Sequence, residues 1–165
     1  MNPSSESDLF DVSRVSCGVS LSSKKKCLQL LSELIESGLG DELDDSVEME
    51  VIDALAARER LGCTGLGHGV AIPHGRVDFI SKPVGAAITL DEPIDFDAAD
   101  GEPVDLIVGL LIPESEVDGH LQILASLASF FNSEANREAM RKTSSAQEIL
   151  DHLKPVAPNA ADADE

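Results

Sequence analysis

Apolar residues recur along this chain with two periods, and the change of period divides it into three parts. From Lys24 onward Leu28, Leu31, Leu34 and Ile35 fall three or four apart, the spacing of one helix face. Ser22 and Ser23 offer an N-cap for that helix, and Gly38 or Gly40 a stop. A second helix is predicted from Asp45-Ser46, with Val47, Val51 and Leu55 on one stripe and Gly62 at its end. The pattern then turns to strands. Pro83 precedes Val84-Gly85-Ala86-Ala87-Ile88-Thr89-Leu90, and Pro103 precedes a run from Val104 to Ile112. The second run is apolar for almost its whole length, as in a strand covered on both faces. Between them, Asp91 to Gly101 is acidic and rich in turn formers, which predicts a surface loop. The helical period returns at His120, where Leu121, Leu124, Leu127 or Ala128, and Phe131 form a stripe. A further helix is expected after Asn132-Ser133, and Ser145-Ala146-Gln147-Glu148 matches a capping box for the last one.

Helices before and after a central group of strands imply an α/β sandwich. The chain has 165 residues, a length that suits one domain, expected over 9–154 between disordered tails at 1–8 and 155–165. Aromatic residues make up 3%, with no Trp or Tyr, so the core has to be built from Leu, Ile, Val and Ala. A formal net charge of -19 argues against nucleic acid and anionic membrane as partners. The same charge suits a basic protein surface, simple solubility or a salty cytoplasm. Cys17, Cys27 and Cys63 form no CxxC pair and are odd in number, the pattern of thiols in a reducing compartment. The start of the chain has neither a basic region nor an apolar stretch, so no secretory signal is expected and the location reads as cytoplasmic.

The densest chemical signal is Thr64-Gly65-Leu66-Gly67-His68-Gly69-Val70-Ala71-Ile72-Pro73-His74-Gly75. Pro73 fixes its own φ and biases Ile72 toward an extended form, while Gly75 permits a turn, so His74 reads as a presented side chain. Gly65, Gly67 and Gly69 would let backbone N–H groups approach an anion, and an imidazole beside an anion cradle suggests phosphoryl chemistry. The alternative is a hydrogen-bonded structural histidine. Arg58 ends the second helix just before this segment. It reads either as a solvated charge or as a planar fork for phosphoryl oxygens. His120, after Asp118-Gly119, is expected at a helix mouth that welcomes anions. His68, His74, His120 and His152 lack metal-site spacing, and the glycines form no nucleotide fingerprint, so neither a metal nor a cofactor is expected.

The run Arg58 to Gly75 closely resembles the active-site segment of enzyme IIA proteins of the bacterial phosphotransferase system. The match is to the fructose/mannitol superfamily, and best to its nitrogen-regulatory branch. Leu90 to Ala98, Pro103 to Leu106 and His120-Leu121 repeat further motifs in order, so the resemblance spans about Leu9 to Leu153. It implies a mannitol-IIA-like fold with a central mixed sheet of about five strands flanked by helices. It also implies a histidine phosphocarrier, with His74 phosphorylated, Arg58 and His120 supporting the phosphoryl group, and Thr64, Gly65, Gly67 and Gly69 in a phosphate-binding loop. His68 stands where that branch usually has a small polar residue such as Asn. A second imidazole near His74 would alter its titration or donate to the phosphate.

The implied donor is an HPr-like protein. The implied targets are regulatory proteins of nitrogen and potassium homeostasis, such as a sensor kinase or potassium transporter components. Two other functions stay open on the sequence: a sugar-transport enzyme IIA that passes phosphate to a IIB domain, and a binding module that is never phosphorylated.

Overall fold

The strand Val104–Pro113, β6, is the spine of the sheet, and every residue in it except Asp105 is buried. It belongs to a computed structural model that describes residues 9–37, 39, 46–61, 64–80, 82–98, 100–115 and 117–154. Residues 46–48, 65 and 117–120 are described by their backbone. Outside the described residues lie the tails 1–8 and 155–165, the expected helix boundaries Gly38, Gly40, Asp45 and Gly62, and Cys63.

Five more strands among the described residues complete the sheet: β1 (Val15–Val19), β2 (Gly65–Gly67), β3 (Val70–Ala71), β4 (His74–Val77) and β5 (Val84–Ile94). The order is β1-β5-β6-β3-β2, with β4 also on β6. β5 is antiparallel to β6, whereas β1 is parallel to β5, and both β3 and β4 are parallel to β6. The sheet is therefore mixed, as expected, with six strands in place of about five.

Alternation along β6 creates two cores. Ile107 and Leu111 join Ala86, Ile88 and Leu90 beneath α1 (Lys24–Ser37) and α2 (Ser46–Leu61), which contribute Leu28, Leu31, Ile35, Val51 and Leu55. Leu106, Val108, Leu110 and Ile112 face the other way. They meet α3 (Val117–Phe131), α4 (Glu134–Lys142) and α5 (Ala146–Leu153) through Ile123, Leu127, Phe131, Met140, Ile149 and Leu153. Gly109 lets α1 lie close, because a Cβ there would stand 2.9 Å from the methyls of Leu31.

The helix starts follow the sequence where a cap is present. Ser23 Oγ accepts the Lys26 N–H at 3.2 Å, Ser133 Oγ that of Asn136 at 3.2 Å, and Ser145 Oγ that of Glu148 at 3.2 Å. Two expectations are corrected. α3 starts at Val117, before His120, and its buried stripe is Ile123, Leu127 and Phe131, while Leu121 is 58% exposed. Residues 91–94 are not loop but the end of β5. The ladder breaks after Thr89↔Leu106 and resumes at Ile94↔Val104, so Pro93, which cannot donate, sits in the irregular stretch. Beyond it Phe96 is fully buried.

Candidate functional site

The segment Val70 to Val77 runs parallel to β6 in constant register, from Val70↔Leu106 through His74↔Leu110 to Val77↔Pro113. Pro73 lacks the N–H that would continue this ladder and so divides the run into β3 and β4. The carbonyls of Gly69, Pro73 and Val77 accept the N–H groups of Leu106, Leu110 and Glu114 at 3.0, 3.0 and 2.8 Å. Ile72 faces the other side. Its N–H donates to the Thr64 carbonyl at 3.1 Å, and its own carbonyl takes Nδ1 of His74 at 2.9 Å. A carbonyl only accepts, so Nδ1 carries the proton and the lone pair of the neutral ring lies on Nε2.

His74 is half-buried. Burial holds its pKa below the ordinary 6.5; the Ile72 carbonyl opposes that shift, Arg58 adds to it and Glu59 opposes it. The ring is therefore neutral, and nucleophilic, at neutral pH. Arg58, in the last turn of α2, is thus brought within electrostatic reach of His74. What brings it there is Gly75. A Cβ on Gly75 would lie 2.8 Å from the carbonyl carbon and the Cβ of Ala54, one helical turn before Arg58. Gly75 was expected to permit a turn; it lies inside β4 and serves close helix packing instead.

The glycine segment forms the β2–β3 hairpin, and only one end of it approaches His74. Gly67, His68 and Gly69 have φ of 90°, 59° and 84°. Positive φ at both tip residues, His68 and Gly69, is what a tight two-residue hairpin turn requires. Histidine, like Asn, tolerates that region better than most side chains. The tip is clasped from outside: His68 N–H donates to Asp100 at 3.1 Å, and Arg141 Nη2 donates to the His68 carbonyl at 2.5 Å. Arg141 Nε also reaches both Asp105 oxygens, at 3.1 and 3.0 Å. Register puts Gly69 five extended residues, about 16 Å, from His74. The structure therefore does not bring His68, Gly67 and Gly69 to His74. Their positive φ builds a turn, and an effect of His68 on His74 finds no support in this placement.

Thr64 and Gly65 lie at the other end of the hairpin, where Gly65 pairs with Ala71. Thr64 is buried and its hydroxyl donates to Glu59 Oε2. Glu59, unremarked in the sequence between Arg58 and Arg60, is 8% exposed and has Lys24 Nζ 2.9 Å from Oε1. A signal was present: Val51, Leu55 and Glu59 continue one stripe at helical spacing. His120 lies in the first turn of α3, where backbone N–H groups lack helical partners; its side chain is outside the described residues.

A cleft of about 430 Å³ on the α2 side is lined by Glu50, Asp53, Ala54, Arg76, Val77, Asp78 and Glu114. Four carboxylates around one guanidinium make it a poor seat for a phosphoryl group. Among the described residues no group of His, Cys, Asp and Glu is arranged for a metal ion.

The family described as phosphoenolpyruvate-dependent sugar phosphotransferase system, EIIA 2, matches residues 8–155. The chain belongs to that family. It is 38% identical over 127 residues to a nitrogen regulatory protein of Pseudomonas aeruginosa, covering 77% of this chain and 80% of that protein. The crystal structure of nitrogen regulatory protein IIA-Ntr from Neisseria meningitidis superposes with a TM-score of 0.80 at 39% identity, covering 88% of this chain and 97% of that one. A fructose-specific EIIA component of Haloferax volcanii is 36% identical over 134 residues, 81% of this chain and 84% of that protein. The enzyme IIA resemblance and its nitrogen-regulatory branch thus stand, on the fold the sequence implied.

Proposed function

We propose that this IIA protein is a cytoplasmic histidine phosphocarrier that takes a phosphoryl group on Nε2 of His74 from the phosphohistidine of an HPr-like protein. The observation that carries the reading is the 2.9 Å contact of His74 Nδ1 with the Ile72 carbonyl, which leaves Nε2 as the nucleophile of a half-buried, neutral ring. The Nε2 lone pair forms the new P–N bond as the donor's P–N bond breaks; the donor ring, protonated on its other nitrogen, leaves as neutral imidazole, and His74 keeps its Nδ1 proton on the Ile72 carbonyl as a phosphoimidazolium. Charge spreads over the equatorial oxygens of a loose transition state. Arg58 neutralises it from the end of α2, in the charge-assisted pairing that guanidinium suits. His120 and the first-turn N–H groups of α3 supply further donors on the other side. Of the hairpin, Thr64 and Gly65 lie at the end nearer His74, opposite Ile72 and Ala71, whereas Gly67, Gly69 and His68 shape its far end.

Exchange of one phosphohistidine for another is nearly isoenergetic, so occupancy of His74 tracks donor supply. Regulation then follows from binding that depends on the phosphorylated state, with partners in nitrogen and potassium homeostasis such as a sensor kinase or transporter components. A net charge of -19 disfavours nucleic acid. Among the described residues no helix is long and apolar enough to cross a membrane.

The test is labelling of the full chain by a phosphorylated HPr-like protein. Acid-labile phosphate appears on the native protein and is absent from His74→Ala; label persisting on that variant rejects the assignment. A second reading, a sugar-specific IIA, is favoured by the similarity to the fructose-specific component. Rapid transfer from the phosphorylated protein to a sugar-specific IIB, without state-dependent capture of regulatory proteins, would establish it.

A further inference from the structure

A line of polar contacts runs from the first residue of α1 to the ring of His74. Lys24 Nζ lies 2.9 Å from Glu59 Oε1 and 5.0 Å above the centroid of the Phe96 ring. Glu59 Oε2 accepts the Thr64 hydroxyl. The Thr64 carbonyl accepts the Ile72 N–H at 3.1 Å, and the Ile72 carbonyl accepts from His74 Nδ1 at 2.9 Å. Gly69, Pro73 and Val77 turn their carbonyls to β6, and with alternate residues facing opposite ways Ile72 turns its N–H away from β6, to Thr64.

We infer that Glu59 and Thr64 are positioning residues for the phosphoryl-accepting ring: the carboxylate fixes Thr64, Thr64 holds Ile72 by its N–H, and the carbonyl at the other end of Ile72 selects the His74 tautomer with its proton on Nδ1. The inference rests on His74 being the acceptor. Glu59 and Thr64 are 8% and 7% exposed, so water cannot readily replace either partner when the other is removed. A buried carboxylate with Lys24 on one oxygen and a hydroxyl on the other holds Thr64 in a single orientation. Loss of that hold lets Ile72 shift, and its carbonyl with it. The Nδ1–H bond then weakens, and the tautomer with its proton on Nε2, which cannot attack phosphorus, gains population.

The experiment uses the full chain and three variants. Thr64→Val removes the hydroxyl at constant shape, Thr64→Ser retains it, and Glu59→Gln removes the charge. Two quantities are read: the His74 tautomer from its ring ¹⁵N shifts above its titration range, and the rate of phosphoryl acceptance from a phosphorylated HPr-like protein. The native protein shows one tautomer, protonated on Nδ1. Thr64→Val gives a mixture and a rate at least about tenfold lower, and Thr64→Ser restores both to within about twofold. A folded Thr64→Val protein with a single Nδ1–H tautomer and the native rate overturns the inference. If Thr64→Val does not fold, Glu59→Gln decides by the same readouts: a mixed tautomer with a slower rate supports the inference, and native values overturn it. The tautomer is read without any phosphoryl donor, so failure of His74 to accept phosphate and failure of the positioning role give separate results.

Discussion

Gly75 and Ala54 are packed so closely that a Cβ on the glycine would stand 2.8 Å from the Ala54 backbone. That contact seats α2 against β4 and so keeps Arg58, one turn further along α2, within electrostatic reach of His74. Gly75→Ala has no relaxed solution, because the obstacle is helix backbone and not a mobile side chain. It should cost about 1–3 kcal/mol in urea unfolding, the range for overpacking, and should also slow labelling of His74 as α2 is pushed away. Native stability together with a native rate would show that the helix adapts.

Arg58→Ala removes the cation whose charge reaches the ring. If it makes a charge-assisted bond to the transferring group, worth about 1.5–3 kcal/mol, phosphoryl acceptance should fall about 10- to 150-fold. The His74 titration midpoint should rise as well, since the Arg58 charge lowers it. A rate loss without that rise would place Arg58 away from the ring.

The pH profile carries a definite sign. The His74 pKa is lowered from 6.5, mainly by burial, so its NMR midpoint lies below that value. Acceptance of phosphate should stay flat as pH drops past 6.5 and decline only near the lower, folded-state pKa. Between these two pKa values the unfolded ring binds the proton that the folded ring refuses, so stability falls as pH falls through that window. A midpoint at or above 6.5 would contradict the buried, neutral ring.

His68 and Gly69 test the hairpin. His68→Asn keeps a residue that tolerates positive φ and should leave the His74 titration unchanged, because the tip is about 16 Å away in extended chain. Gly69→Ala meets both a φ of +84° and Arg141 Nη2 at 2.4 Å from the new Cβ, so it should destabilise the fold measurably in thermal unfolding. A shift of the His74 midpoint in His68→Asn would place the two rings close together.

Cys27 is fully buried, and burial raises its thiol pKa to about 11. At pH 8 it should resist alkylation in the native protein and react once the chain is unfolded, as followed by mass spectrometry. Equal rates in both states would mean that α1 opens readily.

The helices were legible where capping residues and spacing agreed, as at Ser23, Ser133 and Ser145, and β6 was legible because burial on both faces leaves a continuous apolar run. The end of β5 was not. Asp91, Glu92 and Pro93 are exposed and lack a regular ladder, so their composition is that of a loop although the strand continues to Ile94. Leu121 misled for a related reason, since it shares apolar character with the α3 stripe but not its direction.

The amino-acid order alone determined the α/β class, the family, and His74 with Arg58 as the residues to examine, because periodicity, caps and a contiguous motif are local properties. It could not show that Glu59 is buried with Lys24 and Thr64, that Gly75 makes room for α2, or that His68 and Gly69 turn away from His74. Those depend on which strand lies in register with β6 and which helix covers it, and such relations exist only once distant segments have packed.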